Sequence, residues 1–376
     1  MREILLKPRL HKFHTFEAFA REYELNEKDL LFTTGYLYEH FIKPHVSKAQ
    51  VVIQDEYGDG EPTEEMAEAV WQAADYDSYD RVIAVGGGTV MDLGKLLTVR
   101  RTGSVNQLFF KKAELIREKT LIAVPTTCGT GSEVTSTSVA IVKEEKGNTT
   151  KLGLLSEALI ADTACLIPEF LAELPQRPFA ESLIDALIHA TEAFLSPGRA
   201  TMTSDLFAKG AIELILTGMK KVQETENFDL RTQYGEELLT AACYAGIAFL
   251  QAGCGTVHGL SYPLSGAYFV THGASNYTFF EEVLKLYDRE NPEGKIWVLK
   301  ETISRIFGCK EGEALQVLAQ AEEKLIPPRR LKDYGVKKED LKLFTESVFL
   351  NQKRLVDNSY VPLNKEKVLA LYEAVY

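Results

Sequence analysis

The sequence predicts an α/β domain built on a parallel sheet, followed by an all-α helical domain. Three observations support this fold class: a length of 376 residues, alternating strand and helix patterns in the first half, and long helical patterns in the second. A single hydrophobic core stops growing at roughly 250–300 residues, so the chain is long enough for two domains. We expect them at residues 1–177 and 178–376, with Pro175 and Pro178 in the connection.

The first domain is predicted from short segments that are apolar along their whole length. Such strands are typical of a parallel sheet with helices on both faces, since neither face meets water. The predicted strands are Leu30–Thr33, Gln50–Gln54, Arg81–Val85 and Leu121–Val124. The predicted helices between them are Tyr36–Val46, Thr63–Ala74 and Val90–Thr98. A hairpin is expected over Ser136–Lys151, with Gly147 and Asn148 near its middle.

The second domain is predicted from longer segments with the periodicity of helices. Few segments after about residue 178 have the pattern of a strand. The predicted helices include Glu181–Leu195, Ser204–Val222, Gly235–Leu250 and Lys295–Phe307.

The composition indicates a globular protein with reduced thiols. A formal net charge of −12 argues against nucleic acid or an anionic membrane as a partner, because both attract basic surfaces. We expect no signal peptide, because the apolar run Ile4–Leu6 is short, and no apolar stretch approaches the roughly 20 residues that span a bilayer. The five cysteines are odd in number and lack CxxC pairs, which favours a cytoplasmic location.

Two loops at the carboxyl ends of predicted strands have the composition of ligand sites. Gly86-Gly87-Gly88-Thr89 follows a strand and precedes a helix, so its backbone N–H groups can receive a phosphate. The loop Pro125–Glu133 follows the next strand and is rich in hydroxyl groups and glycine. Open α/β sheets bind ligands at this edge. The alternatives are a tight turn without a ligand in the first loop, and a polar loop with Ser132 as a helix cap in the second.

A buried aspartate and three histidines in the second half predict a metal site. The helix Ser182–Ala190 is apolar nearly all round, and Asp185 and His189 lie four residues apart on one face. A buried carboxylate without a partner costs many kcal/mol, so Asp185 needs a cation or a hydrogen-bonded partner. With His258 and His272 it would form a site for Fe²⁺ or Zn²⁺. The alternative is an Asp–His hydrogen bond beside two structural histidines.

Four segments, in this order, resemble the iron-containing alcohol dehydrogenase family. They are Gly86–Lys95, Pro125–Glu133, Asp185–Glu192 and His258–His272. The resemblance covers the chain from about residue 80 to residue 277. It implies an N-terminal dinucleotide-binding domain of Rossmann-like type and an all-α C-terminal domain. It also implies NAD and Fe²⁺ as cofactors, with NADP and Zn²⁺ as alternatives.

By motif position, the resemblance assigns roles to individual residues. The metal ligands would be Asp185, His189, His258 and His272. The pyrophosphate loop would be formed by Gly87, Gly88 and Thr89. Further contacts to the dinucleotide would come from Thr126, Thr127, Thr130 and Thr135, with Lys151 near the ribose.

Two positions depart from the family pattern. Many members carry an aspartate after the first strand of the nucleotide domain, where it bonds the adenosine ribose and repels a 2′-phosphate. Thr34 stands at this position, so the choice between NAD and NADP stays open. Many members also carry a proton-relay histidine four residues after the third metal ligand. Tyr262 stands there and is the candidate catalytic residue.

Three segments indicate a small hydroxy acid as the substrate. Cys128, Ser182–Phe194 and Ser261–Pro263 are most similar to family members that interconvert 4-hydroxybutyrate and succinate semialdehyde with NAD. The nearest alternative is the same scaffold acting on an uncharged alcohol, diol or lactaldehyde. A lyase similar to dehydroquinate synthase and a non-catalytic binding protein are further alternatives. A homodimer is the default expectation for a soluble enzyme.

Overall fold

The computed structural model describes residues 3–144, 147, 149–225 and 230–376. These residues form two compact units. The first unit is Leu6–Leu174, and the second is Pro175–Tyr376 together with the start of the chain up to Leu5. Asn148, near the middle of the expected hairpin, lies outside the described residues.

Strands of the first unit form two sheets. They are β1 (Arg9–Lys12), β2 (Asp29–Thr33), β3 (Gln50–Ile53), β4 (Arg81–Gly86), β5 (Thr120–Pro125), β6 (Thr137–Lys143), β7 (Thr149–Leu155) and β8 (Thr163–Leu166). Six of them form a parallel sheet in the order β1-β8-β5-β4-β2-β3. The other two, β6 and β7, pair antiparallel, which agrees with the hairpin expected there.

The helices of the first unit follow the parallel strands. They are α1 (Phe16–Glu22), α2 (Gly35–Leu37), α3 (Glu64–Ala73), α4 (Gly88–Leu96), α5 (Val105–Phe109) and α6 (Glu169–Ala172). After α2 the chain continues through a π turn, Tyr38–Ile42, and a 3-10 turn, Lys43–His45, so the predicted helix in this region is irregular. Thr63 caps α3 by accepting a hydrogen bond from the backbone N–H of Met66 at 3.1 Å.

The predicted parallel sheet, covered on both faces, is confirmed. Successive residues of β2 point to opposite faces, so Leu30 and Phe32 enter one buried cluster and Leu31 enters another. α3 and α4 cover the first face, and α1 covers the second. The sequence did not predict β1 or β8. β1 is exposed along its whole length and carries the polar run Arg-Leu-His-Lys, and β8 has only four residues.

The second unit is helical, as expected. Its helices are α7 (Gln176–Leu195), α8 (Met202–Thr225), α9 (Leu230–Gln233), α10 (Gly235–Ala252), α11 (Thr256–Tyr268), α12 (His272–Glu290), α13 (Lys295–Phe307), α14 (Ala314–Leu325), α15 (Asp340–Asn351), α16 (Lys353–Val356) and α17 (Lys365–Ala374). Pro178 was expected in a connection, but it lies in the first turn of α7. Proline is accepted there because the N–H groups of the first turn have no partner within the helix.

Within the described ranges, no single helix has the length and apolar character needed to cross a bilayer. α10 and α11 satisfy that test only as a pair, and they meet at an angle of 102°.

The contact between α4 and β4 gives a test of the packing. A Cβ on Gly94 would lie 2.7 Å from Cβ of Ala84, and neither atom can rotate away. We expect Gly94→Ala to destabilise the protein by about 1–3 kcal/mol, as overpacked cores do. Chemical unfolding would measure this. Gly312→Ala is the control, because no atom lies within 4 Å of the added Cβ; an equal loss in both variants would contradict the packing argument.

Candidate functional site

Four side chains of the second unit converge on one point. Asp185 and His189 lie one turn apart on α7, and His258 lies in the first turn of α11. His272 is the first residue of α12. The potential ligand atoms of these four residues all lie within 4.8 Å of one another. The structure therefore brings together all four residues that the family resemblance assigns to a metal.

α7 places its polar pair in an apolar environment. The helix is buried from Leu183 to Leu195, and Asp185 is only 2% exposed. The ring of His189 stacks on Phe249 of α10, with 4.5 Å between the ring centroids. Because this environment excludes water, the carboxylate of Asp185 depends on neighbouring polar groups.

Glu192 fixes the orientation of His258. Its carboxylate accepts hydrogen bonds from the backbone N–H groups of Gly255 and Val257 at 2.9 and 2.6 Å. Its Oε2 also lies 2.7 Å from Nδ1 of His258. A protonated Nδ1 donates to this carboxylate, so Nε2 of His258 presents its lone pair to the cluster. Nε2 of His189 lies 3.0 Å from that atom.

The amide of Asn276 shows that hydrogen-bond acceptors face the centre of the cluster. Its Nδ2 lies 2.8 Å from Oδ1 of Asp185, 3.1 Å from Nε2 of His258 and 3.2 Å from Nε2 of His272. Its Oδ1 is buried and has no hydrogen-bond partner in the described part of the chain. Burial acts to raise the pKa of Asp185, but the three imidazoles outweigh it and hold that pKa below its ordinary value. One carboxylate and three imidazoles around such a centre fit Fe²⁺ or Zn²⁺.

His272 reaches the cluster because α12 begins very close to α7. Glu181 of α7 accepts hydrogen bonds from Nε of Arg177 at 2.7 Å and from Oγ1 of Thr271 at 3.0 Å. A Cβ on Gly273 would lie 2.6 Å from the backbone oxygen of Glu181. No side chain fits in that space, so glycine at this position sets where His272 enters the cluster.

Two further side chains border the cluster. Tyr262 lies one turn beyond His258 on α11 and is half-buried. Its ring centroid is 6.5 Å from that of His272. Cys254 is the third member of a second group with Glu192 and His258, whose ligand atoms also lie within 4.8 Å of one another. Glu192 already accepts three hydrogen bonds, which assigns it to positioning and not to ligation.

In the first unit, the glycine loop (Gly86–Thr89) and the threonine loop (Pro125–Glu133) touch. A Cβ on Gly87 would lie 3.3 Å from Cγ2 of Thr127, and a Cβ on Gly88 would lie 3.0 Å from Cγ2 of Thr130. The loops follow the paired strands β4 and β5, so they meet at one edge of the sheet. Because Gly87 and Gly88 carry no side chains, the threonine loop can approach the start of α4, whose N–H groups are of the kind that receive a phosphate.

A buried ionic network links the two loops. Lys95 of α4 is 1% exposed, and its ammonium donates to Oγ of Ser132 at 2.7 Å and to Oγ1 of Thr135 at 3.3 Å. Ser132 in turn donates to Oδ1 of Asp92 at 2.7 Å. Burial raises the pKa of Asp92 and lowers that of Lys95, and the attraction between the two charges opposes both changes. The hydroxyl of Thr135 thus belongs to this network.

The remaining predicted cofactor residues lie around these loops. Thr126 is buried, and the hydroxyl of Thr89 donates to a backbone oxygen at 2.8 Å. Lys151 is buried on β7, and its Nζ lies 2.7 Å from Oε2 of Glu61. Thr34 is the N-cap of α2, but its side chain makes no capping hydrogen bond. All of these residues belong to the first unit, whereas the four candidate metal ligands belong to the second.

Sequence reasoning missed two residues of the cluster, Glu192 and Asn276. Glu192 lies seven residues after Asp185 on the same buried helix. The argument that a buried carboxylate needs a partner applies to it equally and would have found it. Asn276 lies four residues after His272 on α12, on the same face of that helix. A neutral amide gives no comparable signal in the sequence.

Comparisons with known proteins agree with this geometry. A family model described as iron-containing alcohol dehydrogenase matches residues 12–168, and one described as the Fe-containing alcohol dehydrogenase family, C-terminal, matches residues 179–376. The 4-hydroxybutyrate dehydrogenase of Clostridium kluyveri is 42% identical over 376 residues, which is 100% of each chain.

Two further proteins show how widely the similarity extends. Long-chain-alcohol dehydrogenase 1 of Geobacillus thermodenitrificans is 32% identical over 325 residues, which is 84% of this chain and 80% of that protein. The crystal structure of a 1,3-propanediol oxidoreductase superposes with a TM-score of 0.84 and 23% identity over 100% of both chains. That likeness shows a shared fold.

Glu133, the last residue of the loop Pro125–Glu133, predicts a dependence of stability on pH. It is 1% exposed, and burial raises its pKa from an ordinary 4.5 to about 7. Between these values the folded state holds a proton that the unfolded state has lost, so stability falls as the pH rises. Relative to Glu133→Gln, the wild type should lose about 3 kcal/mol of unfolding free energy from about pH 4.5 to pH 8.

Chemical unfolding at a series of pH values measures this difference. The control is Glu22→Gln, which changes an exposed carboxyl on α1. Parallel curves for the wild type and Glu133→Gln would show that the carboxyl of Glu133 is not held protonated in the folded state.

Proposed function

The chain belongs to the iron-containing alcohol dehydrogenase family, and from this premise we propose that it interconverts 4-hydroxybutyrate and succinate semialdehyde. Enzymes of the family use NAD(H) and iron. The observation that supports this substrate is the 42% identity to a 4-hydroxybutyrate dehydrogenase over all 376 residues. Oxidation moves a hydride from the carbinol carbon to NAD⁺ and releases the hydroxyl proton, so electrons and protons balance.

The cluster on α7, α11 and α12 would hold the iron. Its ligands would be Asp185, His189, His258 and His272, whose donor atoms already face one another. A cation there would act as a Lewis acid on the substrate oxygen. The protein contributes three buried ligands, Asp185, His189 and His258, and a fixed ring orientation, which Glu192 sets for His258.

Tyr262 is the proposed carrier of the hydroxyl proton. It stands one turn beyond His258 and beside His272, and its partial exposure gives its phenol a route to solvent. A phenol both donates and accepts a hydrogen bond, so it can pass a proton in either direction. It would thus replace the relay histidine that many family members carry at this position.

The two loops of the first unit would bind the dinucleotide. The N–H groups at Gly87, Gly88 and Thr89 would receive the pyrophosphate at the start of α4. Thr126, Thr127 and Thr130 would contact the cofactor from the second loop. Thr135 would support the loop indirectly, by accepting a hydrogen bond from the ammonium of Lys95. Lys151 would approach the ribose while paired with Glu61.

We further propose a cytoplasmic enzyme that works as a homodimer without a membrane or nucleic-acid partner. All five cysteines are free thiols, and three of them are buried, which suits a reducing compartment. The net charge of −12 disfavours anionic partners of large size.

The substrate is tested by anaerobic oxidation of 4-hydroxybutyrate beside 1,2-propanediol and 1-butanol. The enzyme is loaded with iron, and formation of the reduced dinucleotide is followed. We expect kcat/KM for the acid to exceed that for either neutral alcohol by about 100-fold or more, because the neutral alcohols lack the carboxylate that an enzyme selective for a hydroxy acid binds. Asp185→Asn should abolish turnover and leave dinucleotide binding intact.

The other outcomes separate the alternatives. A preference for the neutral alcohols would discard the substrate and keep the chemistry. No turnover by an enzyme with bound iron would favour the lyase or the binding protein.

The role of Glu192 is tested by metal affinity. Glu192→Gln keeps the size of the side chain but replaces the carboxylate that receives the Nδ1 proton of His258. We expect the affinity for Fe²⁺ or Zn²⁺ to fall by about 10- to 100-fold, as it does when such an orienting partner is lost. Competition with a chelator measures this directly.

Glu322→Gln is the matched control, since it changes a second fully buried glutamate, on α14. Unchanged affinity in Glu192→Gln, or an equal loss in both variants, would show that Glu192 does not orient a metal ligand.

A further inference from the structure

Asp55 lies at the carboxyl edge of the parallel sheet, beside Thr34. In the ladder between β2 and β3, Thr33 pairs with Ile53, and Asp55 follows two residues later. Its Oδ1 and Oδ2 accept hydrogen bonds from the backbone N–H of Gly35 at 2.9 and 3.3 Å. The carboxylate of Asp55 therefore sits next to the position at which the family pattern places an aspartate.

Thr34 cannot discriminate by charge at this edge. It is a neutral residue, and its hydroxyl can hydrogen-bond either to a ribose hydroxyl or to a phosphate. The side chain of Thr34 makes no capping hydrogen bond to α2, and the N–H of Gly35 donates to the carboxylate of Asp55. The negative charge missing from position 34 is thus supplied by the neighbouring strand.

The charges around Asp55 disfavour a second phosphate. Neither Thr33–Ile42 nor Gln50–Pro62 contains a lysine or arginine, and the second segment carries four acidic residues. Lys151, the lysine that the resemblance places near the ribose, is already paired with Glu61. Binding of a 2′-phosphate at such an edge normally uses an arginine or another cation.

We propose that Asp55 makes the enzyme select NAD over NADP, an inference that rests on the dinucleotide site of the proposed function. The carboxylate accepts hydrogen bonds from the ribose hydroxyls of NAD. It repels the 2′-phosphate of NADP, because like charges at close range oppose binding. Asp55 thereby takes over the part that an aspartate at position 34 plays in other family members.

The test is calorimetric titration of the full-length protein with NAD⁺ and with NADP⁺, in the wild type and in Asp55→Asn. Asparagine keeps an oxygen that accepts from Gly35 N, so α2 stays capped while the charge is removed. We expect NADP⁺ to bind about tenfold more tightly and NAD⁺ about threefold more weakly in the variant. The preference of the wild type for NAD⁺ should also weaken as salt is raised.

Glu56→Gln is the matched control, because it removes an equal charge from the adjacent exposed residue. It should change either Kd by less than about twofold, since only Asp55 is held against Gly35 N beside Thr34. Asp55→Ala separates capping from charge, because it removes the acceptor for Gly35 N as well.

The inference is overturned by an unchanged ratio of the two Kd values in Asp55→Asn, or by an equal shift in Glu56→Gln. Equally weaker binding of NAD⁺ and NADP⁺ in Asp55→Asn and Asp55→Ala would show that Asp55 acts only as a helix cap, which would also overturn the inference. Binding of neither dinucleotide to the wild type would refute the proposed function itself. Normal NAD⁺ binding with an unchanged ratio would refute only the role of Asp55.

Discussion

Asp185 and Glu192, two of the buried carboxylates on α7, constrain the arrangement of the helical unit. Asp185 and Glu192 lie on α7 where it is buried, and neither can keep its charge there without partners within hydrogen-bond reach. The partners come from the starts of two other helices: backbone N–H groups and His258 for Glu192, and the imidazole cluster with Asn276 for Asp185. α11 and α12 must therefore begin against α7, and Gly273 permits that approach for α12. A site that collects acceptors in this way is only complete with a positive charge at its centre.

Charged groups in the first unit also need partners, but there they pair with each other and not with an ion. Lys95 is buried and Asp92 is half-buried, but they satisfy each other through Ser132 and leave no demand for an external ion. Their hydrogen bonds hold α4 and the threonine loop at a fixed distance. The absence of side chains at Gly87 and Gly88 lets the two loops come into contact. A phosphate site needs N–H groups that are held in place and left open, and this arrangement provides both.

Sequence patterns predicted the interior of the fold better than its margins. β2, β4 and β5 are buried on both faces and appear in the sequence as apolar runs. In contrast, β1 is exposed and contains a single apolar residue, Leu10, so it gives no such signal. The four candidate ligands could be predicted because each is a polar residue within a recognisable motif. Asn276 could not, because its importance comes from the neighbours that packing gives it.

Asp55 and Thr34 are an example of neighbours that a sequence motif does not reveal. They are twenty-one positions apart in the sequence, yet parallel pairing of β2 with β3 brings the carboxylate to the residue that follows Thr34. A ligand at the carboxyl edge of a sheet meets the charge of that edge as a whole, whichever strand delivers it. A motif compares one position at a time, so it records the loss of an aspartate at position 34 but not its replacement from the next strand. On our proposal, the choice between NAD and NADP in this chain is therefore a property of the sheet edge, and the ladder register between β2 and β3 decides which residues form that edge.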